Sequence, residues 1–355
     1  MTTYLLAGGG TAGHVNPLLA TADKIRSTET DAVIYVLGTA EGLESRLVPA
    51  RGYELLVIPK LPFPRRPNAS ALTFWPRLQR TVAQVTDMIS SKNIDVVVGF
   101  GGYVSTPAYL AARKANVPIV IHEANAKPGL ANKLGARYTR HVGVAFEGTP
   151  LPHATFVGMP LRSEIENLDE QAARPVAEAF FDLDPAKPTL LVTGGSLGAR
   201  RLNATTVASA GALVAAGWQV LHITGESAEV ADPKLPDYRM IPYCDRMDLA
   251  LARADFVVSR AGSATVSELC ALGKAAVYIP YPVGNGEQRF NAAGVVQAGG
   301  GILVEDAAFL PEWVSSELVP LLADTDRVSS MAVAASSVGV RDGAQRMQRL
   351  IHSAL

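Results

Sequence analysis

Two glycine-rich stretches carry the clearest chemical suggestion in this sequence. "AGGGTAGHVNP", Ala7 to Pro17, and "VTGGSLGARRLN", Val192 to Asn203, each follow a short apolar run and precede a helical pattern. Glycine lets backbone amides close tightly on a ligand, and a helix N-terminus carries about half a positive charge, so both stretches suit a phosphate. Neither reads G-x-G-x-x-G, and no acidic residue ends "AVIYVLGTAEG" to hold a ribose, which disfavours a nicotinamide cofactor. Neither reads G-x-x-x-x-G-K-[ST], which disfavours a P-loop nucleotidase.

His14 stands where the first helix should begin, and a neutral imidazole there can take a proton from a hydroxyl. "HEAN", His122 to Asn125, adds polar groups at the end of another apolar run, where a buried Glu or His needs partners. The longest informative stretch is "SRAGSATVSELCALGKAAVYIPYPVGNGEQRFNA". Its small residues, Ala261 to Ala264, open a helix that carries Glu268 within two turns. That chemistry suits a nucleotide sugar: the helix N-terminus faces a diphosphate, Glu268 accepts two ribose hydroxyls, and Gln288 and Asn291 read sugar hydroxyls.

The elements that position these residues alternate. "TYLLA", "AVIYVLG", "IDVVVGF" and "VPIVIHE" read as strands buried on both faces of a parallel sheet. Helices are expected over Pro17–Ser27, Leu43–Arg51, Ser70–Ser91 and Pro107–Asn116. The pattern weakens around "VGMPLRSEIENLDEQAARP" and restarts with "PTLLVTGG", "WQVLHITG", "YRMIPYC", "DFVVSRAG" and "AAVYIPYP". The expectation is an α/β chain of two Rossmann-like, doubly wound domains facing across a cleft, divided near Met159 to Glu164, with both glycine loops at the carboxyl ends of their sheets.

Composition narrows the classes. The 355 residues carry 32 Lys and Arg against 33 Asp and Glu, for a formal charge of -1, which argues against a broad grip on nucleic acid. Cys244 and Cys270 have neither the number nor the spacing of a disulfide framework or zinc site. "MTTYLLAGGG" lacks a basic n-region, so it reads as a buried strand, and no apolar run approaches the roughly 18 residues of a membrane span. No Asp-x-Asp pair stands where it would chelate a metal against a diphosphate, so neither metal nor other cofactor is expected.

From end to end, the chain resembles the MurG glycosyltransferases of the GT-B fold. The resemblance rests on "GGGTAGHVNP", "GFGGYVSTP", "HEANAKPGLAN", "VGMPLR", "GGSLGARRLN" and "SRAGSATVSEL" with "EQRFNA", in that order. It implies transfer of N-acetylglucosamine from UDP-N-acetylglucosamine to the C4 hydroxyl of the muramic acid in lipid I, undecaprenyl-pyrophosphoryl-MurNAc-pentapeptide, with inversion. It also implies residues 1–161 as the acceptor and membrane-side domain, 162–340 as the UDP-N-acetylglucosamine domain, and 341–355 as a helix returning to the first. By the same resemblance Arg162, Ser196, Cys244, Ser263, Ala264, Thr265, Glu268, Gln288 and Asn291 serve the donor, with Asn203 nearby. Thr11, Ala12, Gly13, Tyr103 and Asn125 would face the acceptor, and His14, then Glu123, are the candidate bases. Ala12, Ala124 and Glu287 depart from the family's usual residues; Glu287 puts one sugar contact in doubt, because a carboxylate only accepts hydrogen bonds.

Ser70 to Ser91 has apolar residues at 72, 75, 78, 82, 85 and 89, a stripe expected to face the core. That leaves Leu61, Phe63 and Phe74 beside Arg65, Arg66, Arg77 and Arg80, a cluster suited to an anionic membrane and hence to a peripheral place on the cytoplasmic face of the cell membrane. Three other readings remain: a UDP-N-acetylglucosamine 2-epimerase, a natural-product glycosyltransferase of the same fold, and a non-catalytic nucleotide-sugar binding protein.

Overall fold

The computed structural model describes every residue except 62, 64–68, 196–197 and 284–285. It divides into two compact units, Met1–Arg162 with Arg341–Leu355, and Ser163–Val340.

The first unit is built on a seven-stranded sheet: β1 (Thr3–Ala7), β2 (Val33–Gly38), β3 (Glu54–Val57), β4 (Val96–Gly99), β5 (Ile119–Glu123), β6 (His141–Val144) and β7 (Ala154–Phe156). All pair parallel, in the order β3-β2-β1-β4-β5-β6-β7. Period-two alternation sends Leu5 and Ala7 to one packed face and Tyr4 and Leu6 to the other, each face under helices. The helix Gly343–His352 belongs here: Met347 and Ile351 are fully buried with the Tyr4 face. Gln348 and His352 both hydrogen-bond Glu29, which also accepts from the Tyr4 hydroxyl.

The second unit carries β8 (Thr189–Thr193), β9 (Gln219–Ile223), β10 (Tyr238–Ile241), β11 (Phe256–Ser259), β12 (Ala276–Tyr278) and β13 (Gly301–Leu303), again parallel, in the order β10-β9-β8-β11-β12-β13. The order reverses between β1 and β4 in one sheet and between β8 and β11 in the other. Both glycine stretches follow a strand beside the reversal, where open α/β sheets leave a crevice for ligands.

Several expectations shift. The first helix runs Ala12–Thr28, so Pro17 sits inside it and does not start it. In Ala69–Ser91 the buried stripe uses Phe74, Leu78, Val85 and Ile89, whereas Trp75, expected inward, is 63% exposed. Leu61 and Phe74, expected in an exposed cluster, form a small buried core with Leu78. Phe63 is 60% exposed beside them, and Arg65 and Arg66 lie outside the described residues.

Candidate active site

The loop after β1 turns at Gly10, whose φ of +88° favours glycine, and enters Ala12–Thr28 through Thr11 in an extended conformation. That helix has no acidic residue in its first turn and no side-chain cap, so its amide end is left to a ligand. The loop after β4 folds over it. Gly101 and Gly102 have φ of +94° and +78°; a Cβ on Gly101 would stand 3.1 Å from His14 Nε2, and one on Gly102 would stand 2.7 Å from the Gly9 carbonyl oxygen. "GFGGY" thus lets a second backbone close on the first glycine loop.

His14 Nδ1 lies 3.2 Å from the Gly9 carbonyl oxygen and 3.2 Å from Thr11 Oγ1. A carbonyl can only accept, so Nδ1 carries the proton and Nε2 keeps its lone pair. Burial lowers the imidazole's pKa, against the opposing pull of Glu123, the Gly9 carbonyl and Glu44, and the ring is neutral at neutral pH. A neutral ring with Nε2 free of its proton has the form a general base requires.

A pocket of about 440 Å³ opens beside it, lined by Gly9–Thr11 and His14, by Gly102 and Tyr103, and by the turn Glu41–Leu43 with Arg46 and Lys60. Glycine-loop backbone at the entry of a helix and two cations, Arg46 and Lys60, on one wall system fit a diphosphate.

Glu123 takes a different place from the one expected. It is 2% exposed, and its oxygens accept from the Asn125 amide at 2.9 Å, the Gly129 amide at 3.0 Å and Asn132 Nδ2 at 2.9 Å. Three donors make this carboxylate, the second candidate base, the anchor of the "NAKPGLAN" loop. His122 is a core residue: its Nε2 donates to the Gly158 carbonyl at 3.0 Å, and burial pushes its pKa down to about 4.

In the second unit the glycine loop is Gly194–Ala199, of which Ser196, an expected donor contact, lies outside the described residues. Gly198, with φ of +74°, lies so close to β9's exit that a Cβ would stand 2.3 Å from the Thr224 carbonyl oxygen. Asn203 Nδ2 donates to that same oxygen at 2.8 Å. Its Oδ1 accepts from His222 Nε2 at 3.1 Å, and Tyr238 donates to His222 Nδ1 at 2.6 Å. Asn203 is 2% exposed and supports the loop from behind.

Ser263, Ala264 and Thr265 form the first turn of Ser263–Ala271, capped by Gly262 and again without an acid, and Glu268 is half-buried one turn further. Asn291 is 1% exposed and donates to the Ala261 carbonyl at 3.3 Å, holding that turn. Gln288 Oε1 accepts the Tyr281 amide at 2.9 Å, which commits its oxygen and not its NH2. Cys244 is half-buried in the loop after β10, and Arg162 closes the first unit. The sequence reading missed two supports. Arg260 bonds the Ile279 and Pro280 carbonyls at 3.2 Å and ion-pairs Asp306 at 2.7 Å; the signal was an arginine directly after a buried strand. Glu44 is the other, and nothing in "GTAEGLES" set it apart from any acid at the start of the helix expected over Leu43–Arg51.

Residues 4–144 match the glycosyltransferase family 28 N-terminal domain and residues 189–347 the family 28 C-terminal domain. The chain is 66% identical over 355 residues to the UDP-N-acetylglucosamine–N-acetylmuramyl-(pentapeptide) pyrophosphoryl-undecaprenol N-acetylglucosamine transferase of Leifsonia xyli subsp. xyli, covering 100% of this chain and 99% of the relative. It is 60% identical to the protein of the same name from Clavibacter sepedonicus, covering 100% and 97%. Among solved structures it is similar to MurG of Acinetobacter baumannii, with a TM-score of 0.80 and 25% identity over 99% of this chain and 100% of that one. A UDP-GlcNAc 2-epimerase of Neisseria meningitidis, at a TM-score of 0.71 and 12% identity over 99% and 100%, shares the fold alone.

Proposed function

We infer the reaction from the family: this chain belongs to glycosyltransferase family 28 and, within it, to the MurG transferases. It transfers N-acetylglucosamine from UDP-N-acetylglucosamine to lipid I, giving lipid II for peptidoglycan. The observation that carries the residue assignment is the pocket beside His14, where the glycine-loop backbone, Arg46 and Lys60 meet a neutral imidazole. The acceptor's diphosphate sits against Gly9–Gly13, with Tyr103 and Asn125 beside the muramyl end. His14 Nε2 takes the proton from the C4 hydroxyl as its oxygen attacks the anomeric carbon. The bond to the diphosphate breaks on the opposite face, UDP leaves with the electron pair, and the configuration inverts.

On the donor side Glu268 holds the ribose and the amides of Ser263–Thr265 with the loop around Ser196 hold the diphosphate. Backbone near Cys244 meets uracil, while Arg162 and the Gln288 amide reach the donor. No metal takes part: helix amides and arginines offset the leaving charge. The test follows UDP release with and without a short-chain lipid I analogue, with EDTA in parallel. Release that needs the analogue and survives EDTA supports the reading; release without acceptor, or loss in EDTA, overturns it.

Among the described residues no helix is long and apolar enough to cross a membrane. Phe63 and Trp75 are exposed beside the exposed Arg77 and Arg80. This aromatic and basic patch docks on anionic lipid at the cytoplasmic face, at about 1 kcal/mol per basic residue near the surface. Reversing Arg77 and Arg80 to Glu abolishes flotation with anionic vesicles; unchanged flotation overturns the docking.

A further inference from the structure

Glu44 is fully buried, although Leu43 and Arg46 on either side of it line the pocket. Its two oxygens serve two segments. Oε2 accepts the Gly10 amide at 3.0 Å, while Oε1 accepts the Thr39 amide at 3.0 Å and the Thr39 hydroxyl at 2.8 Å. Gly10 belongs to the glycine loop; Thr39 opens the turn that carries Glu41, Gly42, Leu43 and Arg46.

Three glycines make room for this carboxylate. A Cβ on Gly9 would stand 2.6 Å from Oε1, one on Gly38 2.5 Å from Cγ, and one on Gly42 2.1 Å from Oε2. Real Cβ atoms do not approach this closely, so Gly9, Gly38 and Gly42 are glycines partly because Glu44 lies among them. Burial pushes the carboxyl pKa up, and the hydrogen bonds from Gly10 and Thr39 outweigh it, leaving the group ionised. A buried anion costs more than an apolar residue of the same size unless its hydrogen bonds are complete, and an isolated negative charge repels a diphosphate. Filling space and attracting the ligand are therefore both poor explanations of its presence. Fixing the geometry of two pocket walls explains it.

We propose that Glu44 is a positioning residue for the acceptor, stapling the first glycine loop to the turn after β2 so that Gly9–Thr11, Arg46 and Lys60 form one preformed diphosphate seat. The proposal rests on the reading that this pocket takes the acceptor. In Glu44→Gln one side of the staple faces a second donor in place of an acceptor, and the loop is released.

The test measures steady-state kinetics of the full chain with a short-chain lipid I analogue and UDP-N-acetylglucosamine. Glu44→Gln raises the acceptor KM about tenfold or more and leaves the donor KM within about twofold. Thr39→Val, which removes one of the three donors, gives a smaller rise of the same sign and keeps the proposal testable if Glu44→Gln fails to fold. An acceptor KM that falls would assign Glu44 a purely electrostatic effect and overturn the proposal. A parallel rise in both KM values, or a lower Tm with neither changed, would make it a structural residue only and also overturn it. The reading of the pocket fails separately: wild-type enzyme that turns over the analogue, with an acceptor KM untouched by Arg46→Ala together with Lys60→Ala, removes the seat itself.

Discussion

The two glycine loops answer one structural demand with different chemistry. "LLAGGGTAGH" and "LVTGGSLGAR" each lead from a strand into a helix, across four residues between Ala7 and Ala12 in the first unit and six between Thr193 and Arg200 in the second, and each unit supports its loop from the segment just after its second strand. In the first unit that support is an ionised carboxylate, Glu44, bonded to Gly10. In the second it is a neutral carbonyl, Thr224, pressed on Gly198 and held by Asn203, with His222 and Tyr238 behind. The first loop thus leans on a charge and the second on a neutral dipole.

His14→Gln breaks the comparison most deeply. It keeps a polar side chain without a base, so kcat falls about 10²- to 10⁴-fold while UDP binding by the second unit persists. Steady-state kinetics beside UDP titration calorimetry separates the two, and near wild-type kcat would remove the base from this loop. In the wild type the acid limb of kcat/KM lies below the ordinary histidine range, because burial lowers the His14 pKa and activity is lost only as pH falls through that lowered value.

Asn203→Ala should cost about 3 kcal/mol, since it leaves the Thr224 carbonyl and the His222 N–H without their partner. Denaturant unfolding measures the loss, and donor KM should rise while acceptor KM holds. Acid tests both units alike. His122 and His222 are held near pKa 4 by burial, so the unfolded chain binds protons that the folded chain refuses. Their stabilising effect is complete above the ordinary histidine pKa and erodes as pH falls towards 4, by roughly 2 kcal/mol per histidine at pH 5. Thermal melts between pH 7 and 5 follow this, and a flat Tm would contradict it.

The smallest change compares the loops directly. Gly10 and Gly195 both have positive φ, +88° and +84°, with a Tyr103 ring atom 3.4 Å from the first's added Cβ and nothing within 4 Å of the second's. Alanine at either should cost about 1 kcal/mol. Only Gly10→Ala, which crowds the pocket, should also raise acceptor KM.

Much of this architecture was legible because its strands are buried on both faces. The run "TYLLA" matches β1 residue for residue, and "PTLLVTGG" contains β8. β3, β6, β7 and β13 were missed because each is only three or four residues long, too short for an apolar run to stand out from a turn. The error at Trp75 is one of phase: the sequence stripe took it inward, and packing chose its neighbour Phe74. The glycine loops and His14 were legible because glycine spacing beside a helix start has a local physical meaning. Glu44 was not, because its partners lie across the sheet's loops and a polar turn after a strand is commonplace. The hydrogen bonds of Glu123 and Asn203 were not legible, since a sequence does not show which way a polar group's lone pairs are already committed.

The helix Gly343–His352 completes the first unit from the far end of the chain, its Gln348 reaching Thr28 and Glu29. During synthesis all of Ser163–Val340 must therefore emerge before the Tyr4 face of the first sheet receives Met347 and Ile351. Until then the nascent first unit carries an open apolar face, and its last contacts are among the longest-range in the molecule, which makes them slow to close. A ribosome stalled within the second unit would hold a first unit whose Tyr4 face is still open, a surface that chaperones can recognise.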